Sequence, residues 1–276
     1  MSLHIGICTL NAMRTLPVVM DAIAQAKLHD RLWVVDSGST DGTIEFATAC
    51  GATVMHREWD GMVGQRRFLL EYCRDQGASW ALMLDADEWP DASLWKSVAK
   101  LLAQDPPTIC GAVLNRQLMV HGDPLNHVCQ PERRLRLVRP EHASVVGSCG
   151  NQAEGIHDRI EVEGATIQLT GKLMHDAFAD LGDALSRNLG YARVEAASNR
   201  TNGGLGRLLF SPLAAFCKQF VLKQGFRDGR RGFLMSQTMA IVTWQKHLLA
   251  AERRLLDQEA NKSSTKGQER DQESGQ

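Results

Sequence analysis

Three acids follow an apolar run at Asp85-Ala86-Asp87-Glu88, directly after Trp80–Leu84. Carboxylates this close repel one another unless a cation or a hydrogen-bond donor sits among them. Mg²⁺ and Mn²⁺ prefer carboxylate oxygens and substrate phosphates, which makes Asp85 and Asp87 candidate metal ligands. A solvated acidic turn is the plainer reading. A second polar group, Asp36-Ser37-Gly38-Ser39-Thr40-Asp41-Gly42-Thr43, follows the β-rich run Leu32–Val35. Thr9 closes the apolar run Leu3–Thr9, and Asn11 comes just after it. Asp-Ser-Gly is also a common turn, and Asp41 is placed to cap a helix over 42–49.

The elements that must position these groups can be read from the pattern. Leu3–Thr9, Leu32–Val35, Ala52–Met55 and Trp80–Leu84 read as strands. Thr15–Lys27, 42–49, Met62–Arg74 and Asp91–Ala103 read as helices between them. This alternation predicts an α/β fold, a mostly parallel sheet flanked by helices. In such a sheet ligands bind at the carboxyl ends of the strands, where all three polar groups lie. Ile109–Leu114, Arg134–Val138 and Glu161–Leu169 read as further strands. From about Asp180 to Arg254 the pattern is helical, with breaks near 201–206 and 225–232. Beyond Leu256 there is no Leu, Ile, Val or Phe, so composition predicts a disordered tail over 257–276.

The chain has 276 residues, 43% hydrophobic and 23% charged, with a net charge of -1. That is enough to bury a sizeable core, and it excludes fibrous and wholly disordered classes. A whole-chain nucleic-acid binder would be basic, so no nucleic acid is expected as a partner. The charge is uneven: -6 over residues 1–204, +7 over 205–256 and -2 over 257–276. Arg207, Lys218, Lys223, Arg227, Arg230 and Arg231 interleave there with Leu and Phe. That mixture suits an anionic membrane surface, and a helix with a solvated basic face is the alternative. The longest charge-free run in this segment, 232–245, has 14 residues. A spanning helix needs about 20, so no membrane crossing is expected. Seven cysteines without a Cys-x-x-Cys pair, and no apolar leader after Met1, predict free thiols in a reducing cytoplasm.

Asp36-Ser37-Gly38-Ser39-Thr40-Asp41-Gly42-Thr43 followed by Leu82-Met83-Leu84-Asp85-Ala86-Asp87-Glu88 resembles the family 2 inverting glycosyltransferases of the GT-A fold. Trp59-Asp60-Gly61 with Gly64-Gln65-Arg66 is similar to a segment of a subgroup, the lipopolysaccharide-core glucosyltransferases of the WaaE type. So are Arg134-Leu135-Arg136-Leu137, His157-Asp158, His175 and the helix over 216–233, and the likeness covers roughly residues 3–250. Three positions depart from the pattern. Asn11 is followed by Ala12 rather than Glu, Arg67 stands for Asn, and Asp158 stands for Glu.

The resemblance implies a nucleotide-sugar site. Asp36 would hold the base and ribose, with Thr9, Asn11, Ser37 and Asp41 beside it. Asp85 and Asp87 would hold Mg²⁺ or Mn²⁺ on the diphosphate. Gln65 would contact the donor, and Arg66, Arg134 or Arg136 would add positive charge at the phosphates. A general base must take the proton of the acceptor hydroxyl. Asp158 is the candidate by its match to the family base, and Glu88, beside the acidic motif, is the rival. His157 and His175 would touch substrate or metal; a structural histidine is the competing reading. Trp59 and Trp89 are the tryptophans best placed to line a sugar site.

Together these readings predict a GT-A domain over 1–178, with a nucleotide-sugar half to about 105 and an acceptor half from 106. A helical, basic segment over 179–256 would follow. The implied reaction moves a hexose, with glucose favoured, from a UDP-sugar to a lipopolysaccharide or lipid-linked glycan. It would take place at the cytoplasmic face of a bacterial inner membrane. Two rival functions are weaker. A nucleotidyltransferase needs a glycine-rich phosphate loop after the first strand, and 8–16 has no glycine. A degenerate scaffold would not need the Asp85, Asp87 and Asp158 carboxylates.

Overall fold

The computed structural model describes residues 1–147, 158–197 and 204–273. Two compact units divide the chain, Met1–Ala179 and Asp180–Gln276.

In the first unit, strand β1 (Leu3–Thr9) lies between β2 (Arg31–Asp36) and β4 (Trp80–Asp85), with β3 (Thr53–His56) beyond β2. All four are parallel. Helices α1 (Leu16–Ala26), α2 (Thr43–Ala49), α3 (Met62–Asp75) and α4 (Ala92–Gln104) supply the crossovers and the flanking layers. β1, β2 and β4 are apolar on both faces, as a sheet covered twice requires. Leu3, Ile5, Ile7, Leu32, Val34, Leu82 and Leu84 pack with α1 and α4. Trp33, Val35, Ala81 and Met83 take the other face, with Leu69 and Leu70 of α3. Gly6 allows α3 this close, because a Cβ there would stand 2.8 Å from the Leu69 side chain.

The second half of the sheet is mixed. β8 (Glu132–Val138) runs antiparallel between β4 and β6 (Ile109–Val120). β5 (Glu88–Pro90) pairs with β12 (Leu173–His175), and β12 with β6. β7 (Asp123–Pro124) and β11 (Ala165–Gln168) also join β6. β9 (Ala143–Gly147) and β10 (Asp158–Val162) form a separate ribbon.

Two differences from the sequence pattern matter. The apolar run over 109–114 reads as ending at the polar Asn115-Arg116-Gln117, yet β6 runs on to Val120. The run over 161–169 is two strands, split at Gly164, whose φ is +141°.

In the second unit, α5 (Leu181–Ala197), α6 (Leu205–Cys217) and α7 (Gly229–Glu273) form a helical array. A π turn over Lys218–Leu222 and a 3₁₀ turn over Gly225–Asp228 link α6 to α7. Within the predicted tail, the backbone of 257–273 continues α7. Glu, Gln, Lys and Arg are good helix formers, and extending an existing helix needs no new nucleus. The expectation of no spanning segment is also qualified. Leu205–Leu222 is 18 residues with mean hydropathy 1.3, long and apolar enough to cross a membrane by length and composition. Arg207 and Lys218 interrupt it, so it contains no long charge-free run.

Candidate active site

The loops after β1 and β2 are stitched together by their own polar groups. Thr9 and Asp36 are opposite one another across the two strands. Asp36 is fully buried, and its carboxylate accepts from Thr9 Oγ1 at 2.8 Å, Gly38 N at 2.9 Å, Ser39 N at 2.8 Å and the Ser39 hydroxyl. Burial pushes its pKa up, but the hydrogen bonds from Ser39, Thr9 and Gly38 outweigh that and hold it below the usual carboxylate value. Asn11 sits at φ +48°, donates its N–H to Ser39 Oγ and accepts from Thr40 N at 2.9 Å. Asp41 accepts from Met13 N and from Thr43 N and Oγ1. Gly42, rather than Asp41, is the N-cap of α2, and Asp41 closes the turn just before it. Ser37 donates its N–H to Thr9 O at 3.0 Å.

Beside this turn, across the β1–β4 pairing, lies a lattice of charges. Asp85 closes β4, opposite Cys8 of β1. One carboxylate oxygen of Asp85 pairs with Arg66 of α3. The other accepts from Arg136 of β8 at 2.6 Å. Arg66 is 1% exposed, and its Nε also pairs with Asp158, the first residue of β10. Glu88 is fully buried and receives Arg136 Nε at 3.0 Å, Arg116 Nη1 at 2.9 Å and the backbone N–H of Asp85 at 3.2 Å. Arg116 also binds Glu132, its neighbour across β6 and β8. Burial disfavours the Asp85 and Glu88 carboxylates. Arg136 leads the opposing charges, with Arg66 and Arg116 at Asp85 and Arg116 at Glu88, and both pKa values fall. Burial also pushes the Cys8 thiol up to about 12, so it stays protonated beside the lattice.

Asp87 differs from its neighbours. Its Oδ1 is buried with no hydrogen-bond partner, 3.7 Å from His175 Nε2. Burial raises its pKa; His175 opposes this, while Asp85 and Glu88 add to it. The pairing of β5 with β12 sets His175 opposite Glu88, which brings a distant imidazole to the acidic motif. Asp176 N–H donates to Asp87 O at 3.0 Å, and Thr15 Oγ1 donates to Ala86 O at 2.8 Å. Arg14 pairs with Asp176 at 2.5 Å and clamps the loop after β1 onto this segment.

The donor set fits a divalent ion at Asp87. An orphaned, buried carboxylate oxygen needs a positive partner, and Asp87 with His175 would offer such an ion one carboxylate and one imidazole. Among the described residues no cluster of three or more His, Cys, Asp or Glu is arranged to hold a metal ion. Asp85, expected as a ligand, has arginines on both oxygens.

The remaining expectations fall as follows. Thr9, Asn11, Asp36, Ser37 and Asp41 gather at one strand end, and Arg66, Asp85, Arg136 and Asp158 gather in the charge lattice. Gln65 is fully buried and donates to Glu58 O at 2.6 Å, so it braces the 57–61 loop. Arg134 lies outside the lattice on Asp85, with its guanidinium on Glu132 at 2.7 Å. Glu88, the rival base, is enclosed by two arginines. Trp59 is 52% exposed, while Trp89 packs against the core. His157 lies outside the described residues. Arg116 and Glu132 were not foreseen. Arg116 belongs to β6 only because the strand continues through its polar stretch.

The sequence profile of glycosyl transferase family 2 matches residues 4–152, more than half of the 276. The chain belongs to glycosyl transferase family 2, and family and sheet order together make the first unit a GT-A fold. The lipopolysaccharide core biosynthesis glycosyltransferase LpsC of Rhizobium meliloti (strain 1021) is 26% identical over 234 residues, 79% of this chain and 84% of its own. The mannosyltransferase PcManGT from Pyrobaculum calidifontis, solved with GDP-Man and Mn²⁺, has a TM-score of 0.48 and 15% identity over 92% of this chain and 86% of its own. Glucosyl-3-phosphoglycerate synthase from Mycobacterium tuberculosis, solved with Mn²⁺, UDP-Glc and phosphoglyceric acid, has a TM-score of 0.34 and 23% identity over 44% of each chain.

Proposed function

We propose that this chain is an inverting hexosyltransferase. It moves a hexose, glucose in the first instance, from a UDP-sugar to a hydroxyl of a bacterial envelope glycan of the lipopolysaccharide inner-core type. The observation that carries the reading is the Arg66 guanidinium bridging Asp85 and Asp158, beside the unpartnered oxygen of Asp87. Similarity to LpsC supports the acceptor class. A glycan of that type is built on a lipid, which supports peripheral work at the cytoplasmic face of the inner membrane.

Each residue then has a task. Arg66 and Arg136 exchange part of their hold on Asp85 for the diphosphate, whose oxygens suit guanidinium forks. Asp87 and His175 would hold a Mg²⁺ or Mn²⁺ ion, joined by Asp85 once an arginine leaves it. Bound there, the ion supplies Lewis-acid stabilisation of the departing nucleoside diphosphate. Asp158 takes the proton of the acceptor hydroxyl as its oxygen attacks the anomeric carbon. The bond to the diphosphate breaks on the opposite face, and the configuration inverts. Asp36 and Asp41 keep the nucleotide-side loop in shape.

The test is donor binding by calorimetry over a panel of nucleotide-sugars, with and without Mn²⁺. The expected result is Mn²⁺-dependent binding of one UDP-sugar, lost in Asp87→Ala while circular dichroism stays unchanged. A folded protein that binds no donor overturns the reading and favours a non-catalytic scaffold.

A further inference from the structure

The outward face of α6 is unusual for a helix in water. No residue of α6 is buried. The exposed positions over 205–222 are Leu205, Gly206, Arg207, Leu209, Phe210, Leu213, Ala214, Cys217, Lys218, Val221 and Leu222, which is an apolar stripe with a basic residue near each end. The side turned toward the rest of the unit carries Leu208, Ala215, Phe216 and Phe220 with Ser211, Pro212 and Gln219. Six of the nine large apolar side chains over 205–222 are nevertheless exposed. At the start of α7, Phe233 and Leu234 are also partly exposed. Monomeric soluble proteins rarely expose a contiguous apolar patch of this kind without a binding role.

We propose that this face lies in the plane of an anionic phospholipid bilayer, with Leu209, Phe210, Leu213 and Leu222 in the acyl boundary. This deepens the proposed function, on which its location at the inner membrane rests. Charge complementarity selects the occupant. Lys218, Lys223, Arg227, Arg230 and Arg231 lie around the turn between α6 and α7, beside the apolar stripe, with Asp228 as the one acid among them. Basic side chains at headgroup level attract anionic lipid, and apolar ones below them insert.

Lying in the plane, rather than crossing, follows from the neighbouring helix. Phe233 of α7 meets Phe216 and Phe220 edge-on, with ring centroids 5.8 and 5.7 Å apart, so α7 begins against the end of α6. A crossing α6 would carry that whole basic turn to the far side. It would also draw α7 into the bilayer with Gln237, Gln245 and Lys246. Charged and polar groups at bilayer depth are strongly disfavoured, and basic residues stay on the cytoplasmic side.

The full chain should be floated with vesicles of phosphatidylcholine alone and of phosphatidylcholine mixed with phosphatidylglycerol. Binding is expected only to the mixed vesicles. Leu209→Ser with Phe210→Ser should weaken it about tenfold or more. Lys218→Gln and Arg230→Gln should each weaken it about fivefold. Calorimetric UDP-sugar binding should stay unchanged in all these variants, so loss of membrane binding is read separately from failure of the transferase reading. A chain that ignores both vesicle types overturns the proposal, including one that dimerises through this face. So does vesicle binding that survives the double variant, or a chain that alkaline carbonate cannot extract from membranes.

Discussion

In Met1–Ala179 the strands β1, β2 and β4 turn their Leu, Ile and Val into two covered layers. Five large apolar side chains are exposed there among the described residues, against fifteen in the smaller unit Asp180–Gln276. Charges are handled in the opposite way. The first unit buries Arg66, Arg136 and Glu88 and matches each with a partner. In the second unit the basic residues Arg207, Lys218, Arg227, Arg230 and Arg231 around α6 are exposed. A buried charge is tolerable only when paired, whereas an exposed apolar face is tolerable only until something covers it. One unit is thus organised around a polar interior site, and the other around an apolar exterior.

That contrast can be broken or sharpened by substitution. The largest expected effect is at Arg66. Arg66→Met leaves Asp85 and Asp158 without a shared partner and should lower stability by about 3–5 kcal/mol, read as a fall in urea midpoint. A midpoint within experimental error of wild type would mean that the lattice contributes little. Next comes Asp158→Asn, expected to cut UDP release in the presence of acceptor by about a hundredfold or more while donor affinity holds. Collapse of donor affinity with turnover preserved would remove Asp158 as the base.

Asp36→Asn should cost about 1–3 kcal/mol at neutral pH, because its amide nitrogen would face donors. The pH dependence has a definite sign. Asp36 has a folded pKa below its unfolded value. Its contribution is therefore complete above the unfolded pKa and is lost as pH falls through the folded one. Wild type and variant should converge in strong acid, and a gap that persists there would assign the loss to packing. The smallest effect belongs to the other unit. Phe210→Ser should change thermal stability by no more than about 0.5 kcal/mol, since the ring is 69% exposed. A larger loss would show that α6 is covered in solution and would erase the comparison.

Much of the first unit was legible in the chain. Four parallel strands and their helices follow from apolar runs of strand length alternating with helical spacing. The acids and hydroxyls at strand ends follow from the same reading. The second half of the sheet was less legible. β5, β7, β9 and β12 are short, and β6 carries Asn115-Arg116-Gln117 through a stretch that looks like a loop. Of those side chains Arg116 joins the charge lattice, while Gln117 is buried against the loop at Leu125 and Asn126. The same polarity that makes Arg116 useful hides the strand that holds it.

By itself the sequence determined the chemistry on offer: carboxylates at 36, 85, 87 and 158, guanidiniums at 66 and 136, and a basic, apolar helical segment after 204. Local pattern is enough for this, because strand and helix periods and turn residues act over a few positions. Only the tertiary structure decided which groups meet. It set Arg66 between Asp85 and Asp158, enclosed Glu88, sent Arg134 to Glu132 and brought His175 to Asp87 through the β5–β12 pairing. It also left Leu209, Phe210 and Leu213 of α6 exposed. These outcomes depend on register and packing between segments far apart in the chain, and no local period encodes them.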